Sequence, residues 1–278
     1  MYKMVCIDMD GTLLNSKRKI SEVNKKILKQ ANEKGVHIVI TTGRIYCNAE
    51  YYSNLLQVNS AVIAANGSII KEKNQEIAIN ISVIPKETNL KILDICNKYR
   101  VNPNFQTARH IYGGNGLISF LLYYFAFKTG SKEHEVKIHN VRGNKNWEKV
   151  LENEKAEMIK CEIFHSDKGR MKKVRSAIEA LGELQVVSSG EYGIDITHKG
   201  VSKGTAVEVL AKHYNIKREE IIAIGDSLND VEMIEYAGLG VAMGNAKEQV
   251  KKVADYIAPT NDEDGVARVI EKFILSKV

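Results

Sequence analysis

Short, uninterrupted apolar runs alternate with amphipathic stretches through the first third of the chain. Residues 4–7 are wholly apolar and run straight into Asp8. Residues 21–34 set Val23, Ile27 and Ala31 on one helical face, with Ser21 as N-cap and Gly35 as the stop. A second apolar run, 36–40, ends in Thr41-Thr42-Gly43-Arg44, and a helical stretch follows to about Leu56. A third run, 61–65, ends in Asn66-Gly67. The last quarter follows the same order. A helix over 205–214 aligns Val207, Leu210, Ala211 and Tyr214. Strands over 221–224 and 239–242 end in Gly225-Asp226 and Met243-Gly244-Asn245. Tyr256-Ile257 makes a short last strand before a closing helix. Fully apolar strands alternating with helices predict a parallel sheet covered on both faces.

The middle of the chain has a different pattern. Residues 86–99 read as a helix with Leu90, Leu93 and Ile95 apolar, and 158–164 as a strand. Residues 167–181 read as a helix capped by Asp167, with Met171, Val174 and Ile178 on one face, and 184–187 and 192–197 as two more strands. The stretch 105–147, rich in Gly, Asn and Tyr, has no period that assigns it. The expectation is an α/β protein. Its Rossmann-like, doubly wound parallel core is made of 1–83 and 191–278, and an α+β domain over 84–190 is inserted in it. A length of 278 residues suits two domains.

Composition narrows the function. Hydrophobic residues are 44% of the chain and prolines only 3, which favours packed domains over disordered linkers. The net charge of +6 is spread along helix faces, as at Lys25-Lys26, Lys172-Lys173 and Lys251-Lys252. A nucleic-acid surface would need a dense basic cluster with interleaved aromatics, so no nucleic-acid partner is expected. The modest positive field suits an anionic substrate. The longest apolar stretch, 117–127, is shorter than the roughly 20 residues a bilayer requires, and no signal-peptide core opens the chain. Cys6, Cys47, Cys96 and Cys161 are far apart, and the histidines show no zinc spacing. These features predict a cytoplasmic protein without membrane attachment, disulfides or structural zinc.

The polar motifs sit at the carboxyl ends of the strands, where open α/β sheets bind ligands. In Asp8-Met9-Asp10-Gly11-Thr12-Leu13-Leu14, residues two apart on a strand end face the same way, which sends both carboxylates into one pocket. Two acids so close raise one pKa. One is then an ionised nucleophile and the other a protonated general acid that later acts as base. A bare D-x-D is more readily an Asx turn; the longer motif after an apolar strand is far more specific. Asp226 and Asp230 add two more acids. Four negative charges in one cleft call for a hard divalent cation, and Mg²⁺ fits oxygen ligands. Helix capping would explain Asp230 alone. Thr42-Gly43-Arg44 offers either an anion site at a helix N-terminus or a plain N-cap. Lys203, ahead of a helix, is either a phosphate-neutralising ammonium or an ordinary surface lysine. Asn66-Gly67 reads as a turn with positive φ that also lines the pocket mouth.

Taken together, Asp8-x-Asp10-Gly-Thr, Thr42-Gly43-Arg44, Lys203 and Gly225-Asp226-x-x-Asn229-Asp230 resemble, in order, the four motifs of the haloacid dehalogenase superfamily. The long insertion resembles the large α/β cap of its Cof-type sugar-phosphatase branch. The resemblance implies a phosphatase. Asp8 would be nucleophile and metal ligand, and Asp10 acid/base, with its backbone carbonyl on the metal. Thr42, Gly43, Arg44, Lys203 and Asn229 would bind phosphate. Asp226 would complete the Mg²⁺ site with Asp230 in support. A small phosphorylated metabolite, by default a sugar phosphate, would be the partner, with no obligate protein partner. A phosphomutase and a non-catalytic phospho-ligand sensor are the alternatives; a dehalogenase would need neither Asp10 nor the metal. Arg109, His110, Tyr112, Tyr123 and Tyr124 would either face the substrate or belong to the cap's own core or surface.

Overall fold

The computed structural model describes residues 1–73, 75–113, 134–153, 157–188 and 192–276. They form two compact units. One comprises Met1–Arg44, Ala49–Asn80 and Ser202–Val278, and the other Ile45–Asn48 with Ile81–Val201. Strands are numbered in chain order.

The first unit is built on β1 (Met4–Ile7), four fully buried apolar residues. It pairs in parallel with β2 (His37–Thr41) on one side and with β12 (Ile221–Gly225) on the other. From β2 the sheet continues through β3 (Val62–Ala64), the antiparallel β4 (Ile69–Lys71) and β5 (Asn80–Ile81). From β12 it continues through β13 (Leu239–Ala242) and β14 (Tyr256–Ile257). Strand order therefore reverses at β1, and the crevice at the carboxyl ends of β1, β2 and β12 is the topological switch point.

Met4, Cys6, Val39, Ile63 and Ala223 pack on one face against Val207 and Leu210 of the helix Lys203–His213 and Met233 of Val231–Tyr236. In the helix Glu22–Glu33, Ser21 caps the N–H of Asn24 as expected. The buried stripe, however, is Asn24, Ile27, Leu28 and Ala31, and Val23 is 41% exposed. Asn24 displaces Val23 because its Oδ1 accepts the N–H of Ala267 at 2.9 Å.

The second unit is a six-stranded sheet made of β6 (Pro103–Gln106), β7 (His110–Gly113), β8 (Lys137–Asn140), β9 (Lys160–Phe164), β10 (Leu184–Ser188) and β11 (Gly193–His198). The order is β10-β11-β9-β6-β7-β8, antiparallel except for β7 with β8. The helices Lys86–Tyr99, Asn144–Glu152 and Lys168–Glu179 cover one face. There Phe105, Cys161, Ile163, Ile194 and Ile196 meet Ile92, Cys96, Trp147, Leu151 and Val174.

The insert expected over 84–190 is longer at its far end. β11 pairs with β9 and β10, which carries this unit to Val201. Residues Ile45–Asn48 also join it, where the Cys47 N–H bonds the Ala108 carbonyl. The stretch 105–147, without a clear period, supplies β7, β8 and the helix Asn144–Glu152; Tyr123 and Tyr124 lie outside the described residues. Among the described residues, no helix is long and apolar enough to cross a membrane.

Candidate active site

The switch point collects acids because three apolar strands end there in hydrogen-bonded turns. Asp8 follows β1 directly, its N–H bonded to the Ile224 carbonyl and its side chain buried. Lys203 opens a helix whose N-cap is Ser202, and it is 1% exposed. Its Nζ lies 2.6 Å from Asp8 Oδ1 and 2.5 Å from Asp230 Oδ1. The reading of Lys203 as a surface lysine is therefore excluded. Asp230 is fully buried, and its other oxygen accepts the backbone N–H groups of Asp226 and Ser227 at 3.0 and 2.9 Å. Asp226 takes the hydroxyls of Thr12 at 3.1 Å and Ser227 at 3.2 Å. One carboxylate oxygen from each of Asp8, Asp226 and Asp230 lies within 4.8 Å of the others.

Gly11 makes this convergence possible. Its φ is +83°, and a Cβ there would stand 2.6 Å from Asp226 Oδ2. Gly11→Ala is expected to displace that carboxylate and lower kcat/KM about 10²-fold, as a misplacement of roughly 1 Å does. Steady-state phosphate release measures it.

Burial pushes the Asp8 carboxyl well above the ordinary carboxylate range, and the charges of Asp230 and Asp226 push it further, against the pull of Lys203. Burial and then Asp230 raise Asp226 as well. Burial disfavours the Lys203 ammonium, but Asp230 and Asp8 outweigh it and hold the group charged above its usual range. Three carboxylates around one ammonium leave an excess of negative charge in a buried place. A divalent cation would neutralise it, and a donor set made only of carboxylate oxygens fits a hard ion such as Mg²⁺.

Asp10 does not join this cluster through its side chain. Its carboxylate is 56% exposed and is gripped by Arg44, with Nε to Oδ2 at 2.6 Å and Nη2 to Oδ1 at 2.5 Å. β1 stops at Ile7, so strand alternation does not set the direction of the Asp10 side chain. The chain turns at once, with the Leu13 N–H on the Asp8 carbonyl and the Leu14 N–H on the Met9 carbonyl. Strand alternation no longer applies there.

Thr42 is buried beside the strand end, its N–H on the Ile63 carbonyl and its Oγ1 accepting the Arg44 N–H. The next helix begins only at Tyr46, so Thr42 is not its N-cap. The loop after β3 is stapled to the loop after β2. Asn66, at φ 56°, donates its N–H to the Thr42 carbonyl, packs its Oδ1 against Gly43 and accepts the Asn229 amide at 3.1 Å.

Thr12, Ser227 and Asn245 had no role in the sequence reading. Thr12 and Ser227 hold Asp226, and Asn245 donates to the Gly11 carbonyl at 2.8 Å. Their signal was adjacency: each is a short polar residue within a strand-end motif.

In the second unit, Tyr112 opposes Phe105 and shares its helix-covered face. Tyr112 stacks on His139, which is 2.8 Å from His110. Arg109 bonds its N–H to Thr107 Oγ1. Sequence reading missed the opposite face altogether. It carries Asn104, Gln106, Lys160, Glu162, Asp195 and Thr197, all buried.

Acids gathered around a buried lysine at the switch point of a doubly wound sheet make a candidate active site, and comparison with known proteins gives its class. Residues 5–270 match the family model of haloacid dehalogenase-like hydrolases. Two Bacillus subtilis proteins are similar over most of their length. 5-amino-6-(5-phospho-D-ribitylamino)uracil phosphatase YcsE is 32% identical, covering 98% of this chain and 96% of the relative. Phosphatase YwpJ is 31% identical over 98% and 100%. Among solved structures, a haloacid dehalogenase-like hydrolase from Bacteroides thetaiotaomicron superposes with a TM-score of 0.85 at 31% identity, covering 99% and 100%. A sugar phosphatase of subclass IIB in the same superfamily gives 0.80 at 27%, covering 98% of each chain. The chain belongs to the haloacid dehalogenase-like hydrolases, in their Cof-type branch. It is a phosphatase.

Proposed function

We propose that the chain releases phosphate from a small phosphorylated metabolite, with Mg²⁺ as cofactor and an aspartyl phosphate on Asp8 as intermediate. The observation that carries this reading is the buried Lys203 ammonium bridging Asp8 and Asp230, with Asp226 completing a compact set of carboxylates.

Held by Asp8 and Asp226, Mg²⁺ would supply positive charge to the phosphoryl oxygens and counter the burial that disfavours ionised Asp8. Asp230, with both oxygens already engaged by Lys203 and backbone N–H groups, braces the cluster. An Asp8 oxygen attacks phosphorus as the ester P–O bond breaks, and Asp10 gives its proton to the leaving oxygen. Asp10 then takes a proton from water, whose oxygen attacks phosphorus; the bond to Asp8 breaks and inorganic phosphate leaves. Asp10 must first turn from Arg44, which becomes available to the phosphate together with Thr42, Asn229 and Lys203. Positioning and charge neutralisation carry most of such a reaction.

A sugar or polyol phosphate is the substrate class best supported. The subclass IIB relative is named a sugar phosphatase, and the name of the Bacillus phosphatase specifies a phosphorylated ribityl chain. Water rather than a second sugar phosphate would be the acceptor, which separates this reading from a phosphomutase. We place the protein in the cytoplasm. The four cysteines are buried free thiols, with Cys6 pushed up to about 12 by burial, as suits a reducing compartment.

EDTA is expected to reduce phosphate release at least about 10²-fold, with recovery on adding Mg²⁺. Mg²⁺ at a hundred times its Kd should also raise stability by about 2.7 kcal/mol, read by thermal melting. Full activity in metal-free buffer would refute the metal assignment.

A further inference from the structure

We infer that Asn245 is a positioning residue for the metal site: it fixes the spacing between the turn that carries Asp8 and the turn that carries Asp226, and so tunes which divalent ion the two carboxylates hold. The inference rests on the metal reading proposed above and adds to it a residue outside the carboxylate cluster.

Asp8 and Asp226 each follow the last residue of a strand, Ile7 of β1 and Gly225 of β12. Past those ends the spacing depends on what ties the two turns together. One tie is direct, from the Thr12 hydroxyl to Asp226 Oδ1 at 3.1 Å. The other runs through residues 243–247, which follow β13. Asn245 Nδ2 donates to the Gly11 carbonyl at 2.8 Å. Two residues on, the Lys247 N–H donates to the Asp226 carbonyl at 3.1 Å. One short loop therefore grips both turns, and its grip on the Asp8 turn is a side chain.

That side chain is anchored in its turn. Asn245 Oδ1 accepts the Asn261 N–H at 3.0 Å, and Asn261 Nδ2 donates to the Leu14 carbonyl at 2.8 Å. The loop itself is seated on the segment after β14: the Gly244 N–H reaches the Pro259 carbonyl at 3.3 Å, and a Cβ on Gly244 would stand 3.0 Å from the Ala258 carbonyl oxygen. The bonded carbonyl belongs to Gly11, whose φ of +83° is open to glycine and rare for other residues. Such a residue has many orientations to choose from, and the bond to Asn245 selects one. The next residue is Thr12, so freeing the Gly11 carbonyl would loosen the hydroxyl that holds Asp226.

Exposure decides what these bonds do. Asn245 is exposed, so water can take over its hydrogen bonds and they add little to stability. Water cannot reproduce the fixed spacing. Mg²⁺ demands near-ideal octahedral geometry at about 2.0–2.1 Å, whereas Ca²⁺ accepts irregular sites at about 2.3–2.6 Å. A looser spacing therefore costs Mg²⁺ more than Ca²⁺.

The test compares wild type with Asn245→Ala. Each is titrated with Mg²⁺ and with Ca²⁺, and Kd is read from the rise in melting temperature. Without metal the two proteins should melt within about 4 °C of each other. The Mg²⁺ Kd should rise about tenfold or more in the variant, as it does when an outer partner of a metal ligand is lost, and the Ca²⁺ Kd should rise by less. At saturating Mg²⁺, KM for phenyl phosphate should stay within about twofold of wild type while kcat is lower. An unchanged Mg²⁺ Kd, an equal loss for both ions, or a raised KM with kcat unchanged would overturn the inference and leave the phosphatase reading intact. So would a metal-free melting temperature lower by more than about 4 °C, which would make Asn245 a merely structural residue. No response of wild type to either ion would overturn the metal assignment as well.

Discussion

Asp8→Asn is expected to lower phosphate release by about 10⁴-fold or more while the protein stays folded. Asparagine has the shape of aspartate, and its Oδ1 still accepts from Lys203, which lies 2.6 Å away. What is lost is the anionic oxygen that attacks phosphorus, for which an amide is no substitute. Stability should not suffer, because Asp8 is one of three crowded carboxylates and burial already disfavours its charge. Without metal, the variant should melt no lower than wild type. Phosphate release and thermal melting on the same preparations separate the two effects. Activity within about tenfold of wild type would remove Asp8 from the nucleophile's role.

Lys203→Met should damage both activity and stability. The ammonium is the buried partner of Asp8 and Asp230, and its loss strands two carboxylates away from water. Removing one partner of a buried ion pair costs about 3–5 kcal/mol, against at most about 1 kcal/mol for a surface lysine. Activity should fall about 10³-fold, because a preorganised charge aimed at the phosphoryl group disappears. Mg²⁺ should restore part of the stability by neutralising the same carboxylates, without restoring turnover. The pH dependence has a definite sign. A carboxyl raised in the folded state, as Asp8 is, contributes stability below its unfolded pKa and loses it as pH rises through the folded value. The deficit of Lys203→Met should therefore shrink on acidification. A melting temperature equal to wild type at neutral pH without metal would contradict the geometry.

The core was legible because its strands are buried on both faces and written as continuous apolar runs. Met4–Ile7 and Leu239–Ala242 were read with the bounds they have. Asp8, Asp226 and Lys203 were legible because each ends a strand or opens a helix within a recognisable motif. The direction of Asp10 was not, because strand alternation ends at Ile7 and the turn that follows has its own geometry. Val23 was misplaced because the Asn24–Ala267 hydrogen bond, between residues far apart in the chain, rotates the buried stripe. The polar face of the second sheet was hidden for a related reason. Asn104, Glu162 and Asp195 come from three separated segments and meet only through strand pairing. Asp195 lay in a segment expected to belong to the core, so no local pattern could link it to Lys160.

The most direct test is a crystal grown with Mn²⁺ in place of Mg²⁺ and read by anomalous scattering. The expected result is one strong peak at roughly 2.0–2.3 Å from an oxygen of Asp8 and an oxygen of Asp226, with Lys203 still on Asp8 and Asp230. A peak elsewhere, or none among these carboxylates in crystals of active enzyme, would contradict the proposal that they share one catalytic ion.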